Sequence, residues 1–310
     1  MTAGGGADGT RRDAPDTAPP RPDTAEQWTF DAVAADGSLA VSVGVGRRRG
    51  SGRGWYWLTV VGADRECVVV VDPDVALTAG SASLEYRAPG LWADHNCSAG
   101  SGHWSVAAEA FGVSLTDPWQ IWGRAFGDPT AVGADLEWDP VEQPVEAPGA
   151  GGETGNPDTL GNLDLPGVAG AWTVGCTVHG ELLVGAERHE LDCDGVRGHQ
   201  WGTGVLGPTG WLAASWRTPT GAWRHYSAPD GAPDGGCDGA GKGPGSTVAA
   251  PMLSIDLDGT STRAEVVAWS PVLDDAANSG RLVMGLARFT GHGADGVDHS
   301  GLGWFRYRPR

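Results

Sequence analysis

The stretch of this 310-residue chain best equipped for chemistry is Asp194-Gly-Val-Arg197-Gly-His199-Gln-Trp201-Gly202. Read as a strand, it places Arg197, His199 and Trp201 on one face and Val196, Gly198, Gln200 and Gly202 on the other. A bulky, titratable face backed by nearly bare backbone suits a strand whose large side chains fill a barrel interior. A histidine there can serve as general acid or base near neutral pH, with Arg197 or Asp194 tuning it. The alternative is a structural cluster in which His199 bonds the backbone and Trp201 only packs.

A second group runs from Trp92 and His95 to His103 and Glu109. His103 and Glu109 share one face of the run His103–Phe111, with Trp104 and Val106 on the other. Either His103 and Glu109 face a polar part of a lumen, or the run is an ordinary half-buried strand with its polar side outward. Trp211, Trp216, Trp223 and Tyr226 surround the turn Thr218-Pro-Thr-Gly221. Trp216 falls on the opposite face from Trp211, so these rings divide between core and a ligand wall. Aromatic faces suit an apolar or polyene ligand and stabilise cations. The eight histidines show no ligand spacing, so no metal is expected. Gly202-Thr-Gly204-Val-Leu-Gly207 matches a dinucleotide-loop pattern, but Pro208 and Gly210 follow where its helix must begin.

The elements that must position these residues are short. From Trp28 onward, runs with period-2 alternation are separated by glycine-rich turns, and no segment keeps a helical apolar pattern for three turns. Fifteen tryptophans and 40% hydrophobic residues supply a core, despite 51 glycines and 21 prolines. Residues 1–27 read as a disordered tail, 140–166 as a linker, and 231–246 as a flexible loop. The linker divides the chain into an N-terminal module, 28–139, and a C-terminal module, 167–310. The expectation is all-β, with two tandem antiparallel barrels. A net charge of −18 argues against nucleic acid and anionic membrane surfaces as partners. No apolar run is long enough for a membrane helix. Five widely spaced cysteines and an N-terminus without an apolar core point to reduced thiols in the cytoplasm.

Gly195-Val-Arg197-Gly-His199-Gln-Trp201-Gly202 resembles the G-x-R/Y-x-D-H-x-W-G motif of the carotenoid 1,2-hydratase (hydroxyneurosporene synthase) and AttH-like lipocalin superfamily, which includes lipocalin-like Diels–Alderases. The tract Tyr86–Glu109 and the following Phe111–Pro118 are similar to the first half of uncharacterised members. The resemblance implies two lipocalin- or calycin-like barrels with an apolar pocket near their junction, and no metal or organic cofactor. It also implies hydration, cyclisation or cycloaddition of a hydrophobic isoprenoid, polyene or polyketide-like molecule, with His199 and Trp201 matching the motif's histidine and tryptophan. Gly198 stands where the motif has aspartate, and Gly204 where many members have arginine, which takes a charge partner and a clamp from beside His199. The expected chemistry is proton transfer from His199 to an alkene, with tryptophan faces stabilising the cation. A non-catalytic carrier of a similar molecule is the alternative, and a structural paralogue with a lost site is the third reading.

Overall fold

The computed structural model describes residues 25–48, 50–77, 83–98, 102–123, 126–146, 168–202, 212–228, 252–257, 260–273, 281–292 and 297–308. The expected tail up to residue 24, the loop 231–246, Trp211 and Gly204 lie outside them.

The chain is all-β, as expected. Its first sheet contains β1 (Ala25–Val33), β2 (Ala40–Arg48), β3 (Arg53–Val61), β4 (Cys67–Leu77), β5 (Leu84–Ala88), β6 (Leu91–Cys97), β7 (Trp104–Leu115), β8 (Asp128–Pro140), the two-residue β9 (Val145–Glu146), β10 (Val168–Val184) and β11 (Glu187–Gly202). Neighbours pair in chain order from β1 to β8; β10 then joins β8, and β11 pairs with both β10 and β1. The sheet therefore closes into a lipocalin-like antiparallel barrel without free edges among its main strands. The second sheet has the order β13 (Trp223–Ala228), β12 (Leu212–Arg217), β18 (Gly301–Tyr307), β17 (Arg281–Thr290), β15 (Thr260–Trp269), β14 (Met252–Leu257), with β16 (Val272–Leu273) beside β17.

Two expected boundaries move. The first sheet does not end at 139: β10 and β11 lie beyond the proline- and glycine-rich stretch, yet they are the strands that close the barrel. Composition marked 140–166 as a break, but long-range pairing decides sheet membership. At the other end Ala25, Glu26 and Gln27 are not tail. They are buried and extend β1, with the Glu26 carboxylate held by Arg47 at 2.6 Å and Gln27 accepting from the Trp55 indole at 2.8 Å.

Alternation puts Trp28, Phe30, Val43, Val45, Tyr56 and Leu58 into the barrel core, and the opposite faces of the same strands are buried as well. The second sheet explains this double burial. Its Met284, Leu286 and Trp304 pack against Val33, Trp55, Trp57 and Val69 on the outside of the barrel. Its far face carries a separate cluster around Trp216, Phe289 and Phe305. Trp55 and Trp57 lie flat across Gly46 and Gly44 of β2, where any β-carbon would collide with the rings. The long β10–β11 hairpin turns on Gly185 and Ala186. Gly185 has φ +61°, a conformation that costs glycine little. A single helical turn, Pro118–Trp122, follows Asp117, whose side chain accepts from Trp119 N–H.

Candidate functional site

β11 is the wall between the barrel interior and the second sheet. Its register sets His199 opposite Trp28 of β1 and opposite Trp172 of β10. All three side chains point inward. The imidazole lies parallel to the Trp28 ring, with centroids 4.6 Å apart and planes 8° apart, while the Trp172 ring stands nearly perpendicular at 5.8 Å. Trp201 closes a third side at 4.9 Å. Arg197, buried one pleat deeper, sets its guanidinium 4.8 Å from the Trp172 ring centre, and Arg47 sits 5.5 Å from that of Trp28.

Burial, with the positive charges of Arg197 and Arg47, pushes the His199 pKa down to about 3. The ring is therefore neutral at physiological pH. A neutral ring accepts a proton before it can donate one, whereas the sequence led to the expectation of a donor. Neither ring nitrogen has a hydrogen-bond partner among the described residues. The expected alternative of a satisfied structural cluster does not describe that arrangement.

His95 repeats the pattern. It is fully buried, its ring stacks on Phe30 at 5.8 Å and on Tyr56 at 6.0 Å, and burial lowers its pKa to about 3. Both its nitrogens and the Tyr56 hydroxyl are also without partners among the described residues. The two imidazoles are joined by a row of rings: Trp28 lies 6.3 Å from Trp104, Trp104 lies 5.2 Å from Phe30, and Phe30 reaches His95. Unpaired buried polar atoms cost about 1–3 kcal/mol each, so this aromatic region holds its imidazoles at the expense of stability. What it offers chemically is neutral imidazole, able to accept a proton or a hydrogen bond, beside a fixed positive charge.

The other expected residues disperse. Asp194 points to the outer face of β11 and pairs with Arg217 of β12, so it does not tune His199. Trp92 and Glu109 line a shallow depression on the outer barrel wall. His103 is also outside, held by Glu137 and Asp139, each at 2.7 Å. The outward, polar-side reading of the His103 strand therefore holds. Trp216 stacks on Phe289 at 4.3 Å in the far-face cluster, where Tyr226 also packs, so neither lines the barrel interior. Gly198 faces outward: a β-carbon there would meet Thr29 Oγ1 at 2.7 Å. An aspartate at that position would point away from His199, so its absence takes nothing from the imidazole.

A separate cleft of about 260 Å³ lies between barrel and second sheet, lined among others by Asp31, Val196, Ser215, Arg217, Trp223 and Trp304. It occupies the junction, as expected, but on the opposite face of β11 from His199. Beside it the Asp31 carboxylate is paired with Arg306. Burial raises the Asp31 pKa, against the lowering effect of Arg306 and Ser42. Trp223 seats its ring over Gly175 of β10, where a side chain would collide with it. Sequence reading missed Trp28, Phe30, Tyr56 and Arg47, although the period-2 alternation from Trp28 places the first two on one face. It also missed Ser215 and His225. The hairpin turn at 218–221 was a signal for that pair, since it sets them directly opposite each other.

Among the described residues, no three His, Cys, Asp or Glu side chains converge as metal ligands, and no helix is long and apolar enough to cross a membrane. The model of a family described as a domain of unknown function, DUF7064, matches residues 10–223, taking in the whole barrel and the start of the second sheet. Among solved structures the chain is similar to CghA with Sch210972, at 15% identity and TM-score 0.44, covering 92% of this chain and 88% of that one. It is similar to kievitone hydratase from Nectria haematococca at 13% identity and TM-score 0.46, covering 91% and 87%. A candidate AttH protein, NE1406 of Nitrosomonas europaea, is 11% identical with TM-score 0.45, covering 91% of each chain. No curated protein matches.

Proposed function

Starting from a chain that belongs to the DUF7064 family, we propose that it binds a hydrophobic, unsaturated small molecule against the aromatic end of its barrel and hydrates or cyclises it, with His199 as proton acceptor. The observation that carries this reading is the His199 imidazole: buried, neutral, stacked on Trp28 and unpartnered at both nitrogens among the described residues. Polyene and polyketide-like skeletons are the substrate class that so many ring faces suit.

The step follows from the neutral ring. A water oxygen adds to one carbon of a conjugated alkene while a water proton passes to a His199 nitrogen. The imidazolium then returns a proton to the neighbouring carbon, so one water is added and His199 is regenerated. In cyclisation a hydroxyl of the same molecule replaces the water. Arg197 makes the imidazolium short-lived and offsets negative charge developing on a conjugated carbonyl.

The test is to purify the chain from its native host and identify co-purifying organic molecules by mass spectrometry. His199→Ala should hold the same molecule while its conversion falls by on the order of 100-fold or more. Undiminished conversion by that variant would overturn the assignment. A carrier is the second reading, favoured by the depth at which His199 is enclosed; it requires the wild-type chain to hold the molecule unchanged.

A further inference from the structure

The junction cleft carries a constellation that the His199 reading does not use. Ser215 of β12 and His225 of β13 are directly opposed across the hairpin, both on the face toward the barrel. Ser215 Oγ lies 3.0 Å from His225 Nδ1, and His225 Nε2 lies 3.0 Å from Glu142 Oε1. Glu142 comes from the segment after β8, so the line of three groups crosses from the second sheet to the barrel. The same carboxylate oxygen accepts the Gly175 N–H at 2.8 Å. Burial pushes the Glu142 pKa up, but the hydrogen bonds from His225 and Gly175 prevail and hold it below its ordinary value. An ionised Glu142 accepts a hydrogen bond from His225 Nε2–H, and that tautomer turns the Nδ1 lone pair to the serine hydroxyl.

We propose that Ser215, His225 and Glu142 form an acyl-transfer relay that hydrolyses a small ester bound in the junction cleft. Three features support this. The nucleophile, base and orienting carboxylate stand in sequence at hydrogen-bond distance, the arrangement that activates a serine. Ser215 lines the cleft, whereas His225 and Glu142 do not, so the relay runs away from the ligand space. Arg288 lines the same cleft and brings positive charge to a developing oxyanion, while Arg217, also in its wall, is paired with Asp194. The volume of about 260 Å³ limits the ester to a compact molecule, and Val33, Val196, Leu302 and Trp304 give it apolar walls.

The reaction balances without a further reagent. Ser215 Oγ attacks the ester carbonyl as its proton moves to His225 Nδ1. The tetrahedral adduct expels the alcohol, which takes that proton, and leaves an acyl-serine. Water then attacks the acyl carbon, gives a proton to Nδ1, and the adduct collapses to release the acid and return a proton to Ser215. Ester and water become acid and alcohol.

The bland role for the same groups is a hydrogen-bonded tie between sheet and barrel, and the experiment separates the two. The full chain is treated with a fluorophosphonate, digested and mapped by mass spectrometry, and assayed with p-nitrophenyl acetate and butyrate. The relay predicts a stoichiometric adduct on Ser215 and ester hydrolysis that Ser215→Ala abolishes. Glu142→Gln should slow both labelling and hydrolysis by about 10-fold or more and move the acid-side limb of the pH profile to lower pH, because the histidine loses its charged partner. Both variants are near-isosteric, and circular dichroism at the assay temperature confirms that they are folded. A folded wild-type chain with no adduct on Ser215, or hydrolysis unchanged in Ser215→Ala, overturns the proposal.

Discussion

A histidine enclosed by Trp28, Trp172 and Trp201 leaves a mark on stability as well as on chemistry. An unfolded-chain histidine titrates near 6.5, whereas His199 and His95 in the fold are pushed down to about 3. Between those values the unfolded chain binds protons that the folded chain refuses. Stability from each histidine is therefore complete above pH 6.5 and is lost as pH falls toward 3. Burial raises the Asp31 pKa, which gives that group the opposite sign, so the histidine contribution is read by difference. Urea unfolding at pH 7 and at pH 4.5 should show a larger loss of stability for the wild-type chain than for His199→Phe/His95→Phe. The gap should be roughly 2 kcal/mol per histidine. Equal losses would mean that the rings are not held neutral. At this scale the sequence was half legible. Arg197, His199 and Trp201 do share an inward face, as alternation implied. Of the causes of the lost His199 proton only the Arg197 charge is local; burial between Trp28 on β1 and Trp172 on β10, and the Arg47 charge on β2, come from distant strands.

At the scale of elements, β11 has two occupied faces, and glycine makes that possible. Inward it carries Arg197 and His199, with Gly195 leaving room for Val178 and Trp138; outward Gly198 lets the Thr29 hydroxyl approach. The same device appears where Trp223 of β13 rests on Gly175 of β10. Gly175→Ala should cost about 1–3 kcal/mol in urea unfolding. It should also shift the tryptophan emission as Trp223 is displaced from the cleft wall. A variant with wild-type stability and emission would show that this contact does not seat the second sheet. Most strands could be placed from alternation, but β6 could not, because Asp94-His95-Asn96 looks like a turn. His95 belongs in the core only because the β5–β6–β7 pairing turns that face inward.

For the whole molecule, the barrel and the second sheet make one packed unit. Trp304 donates its indole N–H to Ala32 O at 3.2 Å, and Arg306 pairs with Asp31, which is almost fully buried. Removing one member of a buried ion pair strands the other, at a cost of about 3–5 kcal/mol. Arg306→Met should lower stability by that order, whereas the double change Asp31→Leu/Arg306→Met should recover much of it. A single variant as stable as the wild type would remove the pair from the account. The division of the chain was the least legible property. The composition break at 140–166 is real in the sequence, but β10 and β11 pair with β8 and β1 across it, and only long-range pairing reveals that.

The claim on which the rest turns is that His199 acts on a bound hydrophobic molecule inside the barrel. The most direct measurement is untargeted mass spectrometry of the native host carrying either the wild-type chain or His199→Gln. The account predicts that the variant accumulates a hydrophobic precursor at the expense of a product that is either one water heavier or of equal mass. Identical profiles from the two hosts, with the variant folded and equally abundant, would contradict it.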